Sequence, residues 1–254
     1  MRRTFALVVT VLALGAGAVA CSPPPGSASL SLDFSTVWGG VVDRDGQGTG
    51  FAACQTGRCD SSKINLDTAS GRLSIVSTPG NNTGSTNTQV NALELNVDAS
   101  ALRFAVQSRV LGLADLTKQY QQKAIYFGPD QDNYFKVEVE YGTNGRVSMT
   151  AGFEQSGTFR VIAGPTALTS PGSIASLDLR IVGDPTTGLL QGAYRTSPTA
   201  AFSNIGGPVS PGAAAGAWFN DAAKAGLLVS NTAPSGTTAP SFTAVFDFFR
   251  VDAA

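Results

Sequence analysis

Residues 123–141 read KAIYFGPDQDNYFKVEVEY. Lys123 to Phe127 and Tyr134 to Tyr141 are two β-rich runs, and Gly128 to Asn133 is a polar stretch between them. In the second run Phe135, Val137, Val139 and Tyr141 fall on one side, and Tyr134, Lys136, Glu138 and Glu140 on the other. Side chains alternate across a strand, so this pattern predicts a strand with one buried face and one wet face. Gly, Pro, Asp and Asn between two such runs mark a hairpin loop.

The same alternation recurs outward from this hairpin. Before it come Leu30 to Phe34, Lys63 to Leu66, Gly71 to Ser77, Ala92 to Val97 and Leu102 to Val110. After it come Arg146 to Phe153, Gly157 to Ala163, Ser176 to Val182, Leu189 to Arg195, Gly226 to Val229 and Ser241 to Val251. Val37 to Ser62, Asn81 to Gln89, Pro165 to Ser173 and Thr196 to Gly216 read as longer connections. Only Ala114 to Gln121 and Ala222 to Ala225 offer a turn or two of helix. Short strands at this spacing, with turn signals between them, predict an all-β fold: a two-sheet antiparallel β-sandwich of jelly-roll type. It would occupy residues 30–254 as one domain, a size one sandwich can absorb.

Composition removes several chemistries. Of the 254 residues 14% are charged, the formal net charge is −1, and there is no histidine. That excludes Ser-His-Asp and Cys-His nucleophile systems and most zinc sites. No basic run stands out and the pI is about 5.4, so no nucleic-acid partner is expected. Oxygen-ligand sites for hard cations and carboxylate-pair chemistry remain.

Residues 1–20 read as an export signal: Arg2 and Arg3, an apolar run from Phe5 to Leu14, then Ala18-Val19-Ala20. The apolar run is shorter than the ~20 residues that cross a bilayer. Cys21 follows directly, and AVAC resembles the lipobox of bacterial lipoproteins, which implies lipidation of Cys21 and a membrane partner through that lipid. Plain secretion is the alternative. The expected location is the bacterial cell envelope, outside the cytoplasm. After Cys21, residues 22–29 continue as SPPPGSAS, a flexible tether. With Cys21 so assigned, Cys54 and Cys59 in FAACQTGRCDSS are expected to close a small disulfide.

YFGPDQDNYFKVEV resembles a strand-turn-strand of the concanavalin A-like, laminin-G-like jelly-roll superfamily. GVVDRDGQGTGF and VNALEL resemble segments that accompany it in large bacterial surface proteins. FDFFRV at Phe246 to Val251 resembles the closing strand of such domains, and of sandwich domains appended to some glycosidases. The resemblance implies two sheets face to face, one of them concave, with the first and last strands as neighbours. It also implies a structural Ca2+ where those strands meet, at Asp33 and Asp247; a salt bridge or backbone bond is the other reading of the two.

Further candidates come from the residues themselves. Asp43 and Asp45 in a Gly-rich loop read as a turn capping backbone NH groups; the opening of a calcium loop is the alternative. Asp130 and Asp132 in the central turn are ligand-binding candidates, or simply turn formers. Trp38, Tyr126, Tyr134, Tyr194 and Trp218 are candidates to stack on sugar rings, Tyr126 and Tyr134 foremost because they flank the turn. Glu138 and Glu140 share one face, ~7 Å apart by strand geometry. They lack the Glu-x-Asp-x-x-Glu pattern of concanavalin A-like glucanases and read, beside Lys136, as a solvated charged face. With no catalytic set evident, the expected protein is not an enzyme but a non-catalytic, lipid-anchored envelope protein that binds carbohydrate or a surface. The alternatives are a structural subunit packing on other envelope proteins and, third, a glycan-cleaving enzyme on the same fold.

Overall fold

The computed structural model describes residues 29–233 and 236–254. The expected signal segment, Cys21 and the expected tether up to residue 28 lie outside the described residues. In chain order the strands are β1 (Leu30–Leu32), β2 (Ala53–Cys54), β3 (Ile64–Asp67), β4 (Arg72–Val76), β5 (Leu93–Val97), β6 (Phe104–Leu111), β7 (Gln122–Asp130) and β8 (Asn133–Tyr141). They continue with β9 (Val147–Gln155), β10 (Thr158–Ala167), β11 (Ser176–Asp184), β12 (Leu189–Arg195), β13 (Ser203–Val209), β14 (Ala223–Ser230) and β15 (Thr243–Ala253). One four-residue helix, α1 (Ala215–Trp218), interrupts them.

Two antiparallel sheets form the sandwich. One runs β13-β12-β11-β6-β15-β4-β3, with β1 also on β15, and the other runs β10-β9-β8-β7-β14-β5-β2. Leu30 pairs with Val251, so the first and last described strands are neighbours. Non-sequential neighbours such as β6-β15 and β7-β14 are the crossovers of a jelly roll.

The core is what the alternation predicts. Phe135, Val137 and Val139 of β8 meet Ile125 and Phe127 of β7 and Met149, Ala151 and Phe153 of β9, all buried. From the facing sheet come Phe104, Val106, Leu177, Leu179 and Ile181. Trp218 lies flat on Phe153, with ring centroids 5.1 Å apart and planes 9° from parallel. Trp218 is therefore part of the core and offers no ring to a ligand. Its burial also explains α1: a single helical turn is enough to drive the indole between the sheets.

The structure differs from the sequence reading in several places, three of which have a plain local reason. β7 does not stop at Phe127 but runs through Gly128 and Pro129 to Asp130, turning tightly into β8 after a register shift. Gly128 permits this, since a Cβ there would stand 2.1 Å from the Asn133 carbonyl oxygen. Residues 203–209, SNIGGPV, pair with β12 as an edge strand although they fall in a predicted connection. Proline and two glycines hide an edge strand, because the unpaired side of an edge has no ladder bonds to lose. Residues 223–225 are the start of β14 rather than helix.

Candidate functional site

The outer face of the seven-stranded sheet holds a cluster of buried polar groups. Register places Tyr134 opposite Glu154, Lys136 opposite Gly152, Glu138 opposite Thr150 and Glu140 opposite Ser148. These side chains point away from the sandwich core, yet Lys136, Glu138 and Glu154 are 2%, 3% and 0% exposed. The expectation of a solvated charged face is thus corrected. Two coverings account for it. Phe159 from β10 lies over the sheet, which Gly152 allows, because a Cβ on Gly152 would stand 2.3 Å from its ring. The loop Asn81–Thr88 folds across the Tyr134 end, where the Tyr134 hydroxyl donates to the Asn82 carbonyl and the Asn87 amide donates to Asp132.

Between the loop and Phe159 remains a recess of about 240 Å³, lined among others by Gln122, Lys136, Glu138, Glu140, Thr150 and Phe159. Lys136 Nζ stands 2.8 Å from Glu138 Oε2 and 5.0 Å from the centre of the Phe159 ring. Thr150 Oγ1 donates to Glu140 Oε1 at 2.9 Å. Burial pushes the Glu138 carboxyl up to about 7; the Lys136 ammonium opposes this and the Glu140 charge adds to it. A neighbouring Glu154 is likewise raised to about 7 by burial, against the pull of the Tyr134 hydroxyl and the Gly84 NH. Two larger recesses at the end of the sheet are lined by hydroxyls, amides, apolar side chains and the cations Lys118 and Arg146, and hold no carboxylate.

The recess therefore offers a proton donor and a second carboxylate side by side. Glu138 keeps its proton near neutrality, and Glu140, less buried and two residues along the same strand, reaches the same space. A fixed ammonium stands ready for the charge left when Glu138 gives its proton away.

The other sequence candidates occupy different places. Tyr126 and Tyr134 are 1% and 2% exposed, with the Tyr126 hydroxyl donating to the Leu93 carbonyl at 3.1 Å. Both rings lie beneath neighbouring groups, Tyr134 beside Phe159 and Tyr126 beside Tyr134. Asp130 accepts from the Asp132 NH and the Asn133 amide, closing the turn. Asp33 accepts from the Ser35 NH and hydroxyl, which hold its carboxyl below the usual range. Asp247 faces Arg109 at 3.3 Å. Asp43 is buried and accepts from the NH groups of Asp45, Gln47 and Leu66, a turn cap that ties its loop to β3. Among the described residues, no three side chains of the kinds that hold metal ions come together. Cys54 and Cys59 are joined in a disulfide. Trp38 is 39% exposed and Tyr194 packs at the core edge.

No protein family profile and no curated protein matches the chain. Solved structures do. A variant of the GH43 protein BlXynB from Bacillus licheniformis aligns over 88% of this chain and 39% of its own, at 14% identity and a TM-score of 0.64. The xylan beta-1,4-xylosidase of Bacillus halodurans aligns over 87% of this chain and 38% of its own, at 12% identity and a TM-score of 0.57. A bifunctional GH43-CE protein of Bacteroides eggerthii aligns over 91% of this chain and 26% of its own, at 15% identity and a TM-score of 0.58.

What this chain shares with them is a β-sandwich. It spans about two-fifths of the length of the first two. At such identity the likeness shows the fold. The matched chains are nonetheless a GH43 protein and a xylan beta-1,4-xylosidase by name, and this corrects the expectation of a non-catalytic binding protein that is no enzyme.

Proposed function

We propose that this chain cleaves glycosidic bonds, using Glu138 as general acid and Glu140 as the second carboxylate. The observation that carries the reading is the recess itself: a buried carboxyl raised to about 7 beside a less buried carboxylate, on a fold shared with glycoside hydrolase chains. Glu138 donates its proton to the glycosidic oxygen as the bond to the anomeric carbon breaks. Glu140 takes a proton from the water that attacks that carbon. Alternate residues of a strand stand ~7 Å apart, which matches the ~6.5–9.5 Å separation of an inverting pair. Lys136 orients the Glu138 carboxyl, and Phe159 presents a ring edge to the sugar.

Xylo-oligosaccharides are the first substrates to test, because a matched structure is titled a xylosidase. Incubation with xylo-oligosaccharides and arabinoxylan should release new reducing ends with inverted anomeric configuration, as read by proton NMR. Absence of product across a panel of neutral glycans would remove the reading.

The same proposal places the domain in the cell envelope. AVAC ahead of a Pro-rich tether supports lipid attachment at Cys21. Cys21→Ser is expected to move the protein from the membrane fraction to the soluble extracytoplasmic fraction, as followed by immunoblot. An unchanged membrane fraction would count against acylation.

A further inference from the structure

The outer face of the other sheet carries a set of guanidiniums that glycan cleavage does not use. Register sets two rows across β12, β11, β6 and β15. One row holds Arg195, Asp178, Arg109 and Phe248, and the next holds Ala193, Arg180, Gln107 and Arg250. In the first row Asp178 is fully engaged, 2.7 Å from both Arg109 Nε and Arg195 Nε. Asp247 also serves Arg109, and Asp252 serves Arg250 at 3.0 Å. The field of Arg103 falls on Asp184.

Arg180 is left over. Among the described residues it has no ion pair and no hydrogen bond, and its Nε is cut off from both solvent and partner. Burial and the neighbouring Arg103, Arg195 and Arg250 work against its charge, and the Asp252 carboxylate, already paired with Arg250, offsets this only in part. It is held in place all the same, with its guanidinium 5.0 Å from the centre of the Phe202 ring, which also carries Arg195 at 4.6 Å. On the other side Phe248 sits between Arg109 and Arg250, at 5.2 and 4.9 Å. Arg250 Nη2 donates to Gln107 Oε1 at 3.3 Å, which fixes the third member of the row.

We infer that the Arg180–Gln107–Arg250 row is a binding site for a carboxylate borne on a glycan, a uronate residue. Neighbouring strands are ~4.8 Å apart, so the backbone positions of Arg180 and Arg250 stand ~10 Å apart across Gln107. A carboxylate on a sugar ring can approach between them and meet the Nη end of Arg180, since its Nε is closed to solvent. Arginine suits this ligand because its planar fork matches a carboxylate in a bidentate way. Stacking on Phe202 and Phe248 holds the forks flat before the ligand arrives, which reduces the ordering cost of binding. A lipid surface calls for side chains that project outward, and these lie against the sheet. The glycan part of the inference rests on the proposed function; the anion part does not.

Calorimetric titration of the full chain with a galacturonic acid trimer, and with a neutral galactose trimer, tests it. The acidic trimer should bind saturably and the neutral one should not. Arg180→Met and Arg180→Lys should each weaken binding at least tenfold, the lysine variant because it keeps the charge and loses the fork. Cleavage of neutral xylo-oligosaccharides should be unchanged in both. Equal affinity in Arg180→Met, or binding of phosphatidylglycerol vesicles in place of the trimer, would overturn the site. The Glu138→Gln protein should still bind the trimer. Loss of cleavage with binding intact would then touch the glycosidase reading alone, and cleavage without trimer binding would touch this inference alone.

Discussion

Glu138→Gln should lower kcat on a cleaved glycan by ~10²–10⁴-fold, the usual contribution of a positioned general acid. KM should move little, because glutamine keeps the shape of the side chain and its place beside Lys136 and Thr150. The unmodified enzyme should lose activity as pH rises through about 7, where burial has set the Glu138 proton. The direction follows from the role: a donor works only while it holds its proton, so activity belongs to the acid side of that value. In Glu138→Gln the alkaline fall should vanish along with most of the rate. Steady-state kinetics from pH 5 to 9, with circular dichroism to confirm folding, reads all three effects. Turnover in the variant within a few-fold of the parent would end the assignment of Glu138.

The second large effect is on stability. Glu138 and Glu154 both titrate at about 7 in the fold against 4.5 for an ordinary glutamate. Below about 4.5 the folded and unfolded chains both hold these protons, and the contribution to stability is complete. Between 4.5 and 7 the unfolded chain ionises while the folded chain does not, so stability falls as pH rises; above about 7 the loss is complete. For Glu138, at ~1.4 kcal/mol for each pH unit, this amounts to a loss on the order of 3 kcal/mol at most. A domain of this size should then lose roughly 5 to 10 °C in Tm between pH 5 and 8. Glu138→Gln combined with Glu154→Gln should flatten that slope, since neither amide ionises. Thermal melts at constant ionic strength measure it, and a slope that survives the double substitution would mean that other groups carry it.

Both predictions involve Glu138, which sequence reasoning placed correctly on a strand face and then misjudged. The alternation from Tyr134 to Tyr141 identifies Lys136, Glu138 and Glu140 as co-facial, and the register agrees. It says nothing about what lies above that face. Phe159 comes from the next hairpin and the Asn81–Thr88 loop from some fifty residues earlier in the chain, so the desolvation of Glu138 depends on contacts distant in sequence. Glu154 gave no signal of its own. A lone glutamate at the end of a strand is unremarkable until a tyrosine and a loop enclose it. Tyr126 and Tyr134 illustrate the same limit in reverse. Their positions beside the turn suggest exposed rings, whereas the loop and β5 cover both.

Arg180 belongs to the same class of hidden feature. Its own strand shows only an arginine alternating with leucine and isoleucine. Its lack of a counter-ion emerges when β6, β12 and β15 are laid beside β11 and each nearby aspartate is found to serve another arginine.

The amino-acid sequence by itself determined the strands, the facing of their side chains, the pairing of Cys54 with Cys59 and the two-sheet class, because alternation, turn residues and cysteine parity are local and chemical. Only the tertiary structure decided which wet-looking face is dry, where two glutamates are pushed toward their protonated form and that Arg180, among the described residues, forms no ion pair. Those properties are set by desolvation and by charges a few ångströms away, and the neighbours that supply them are brought there by the fold and not by adjacency in the chain.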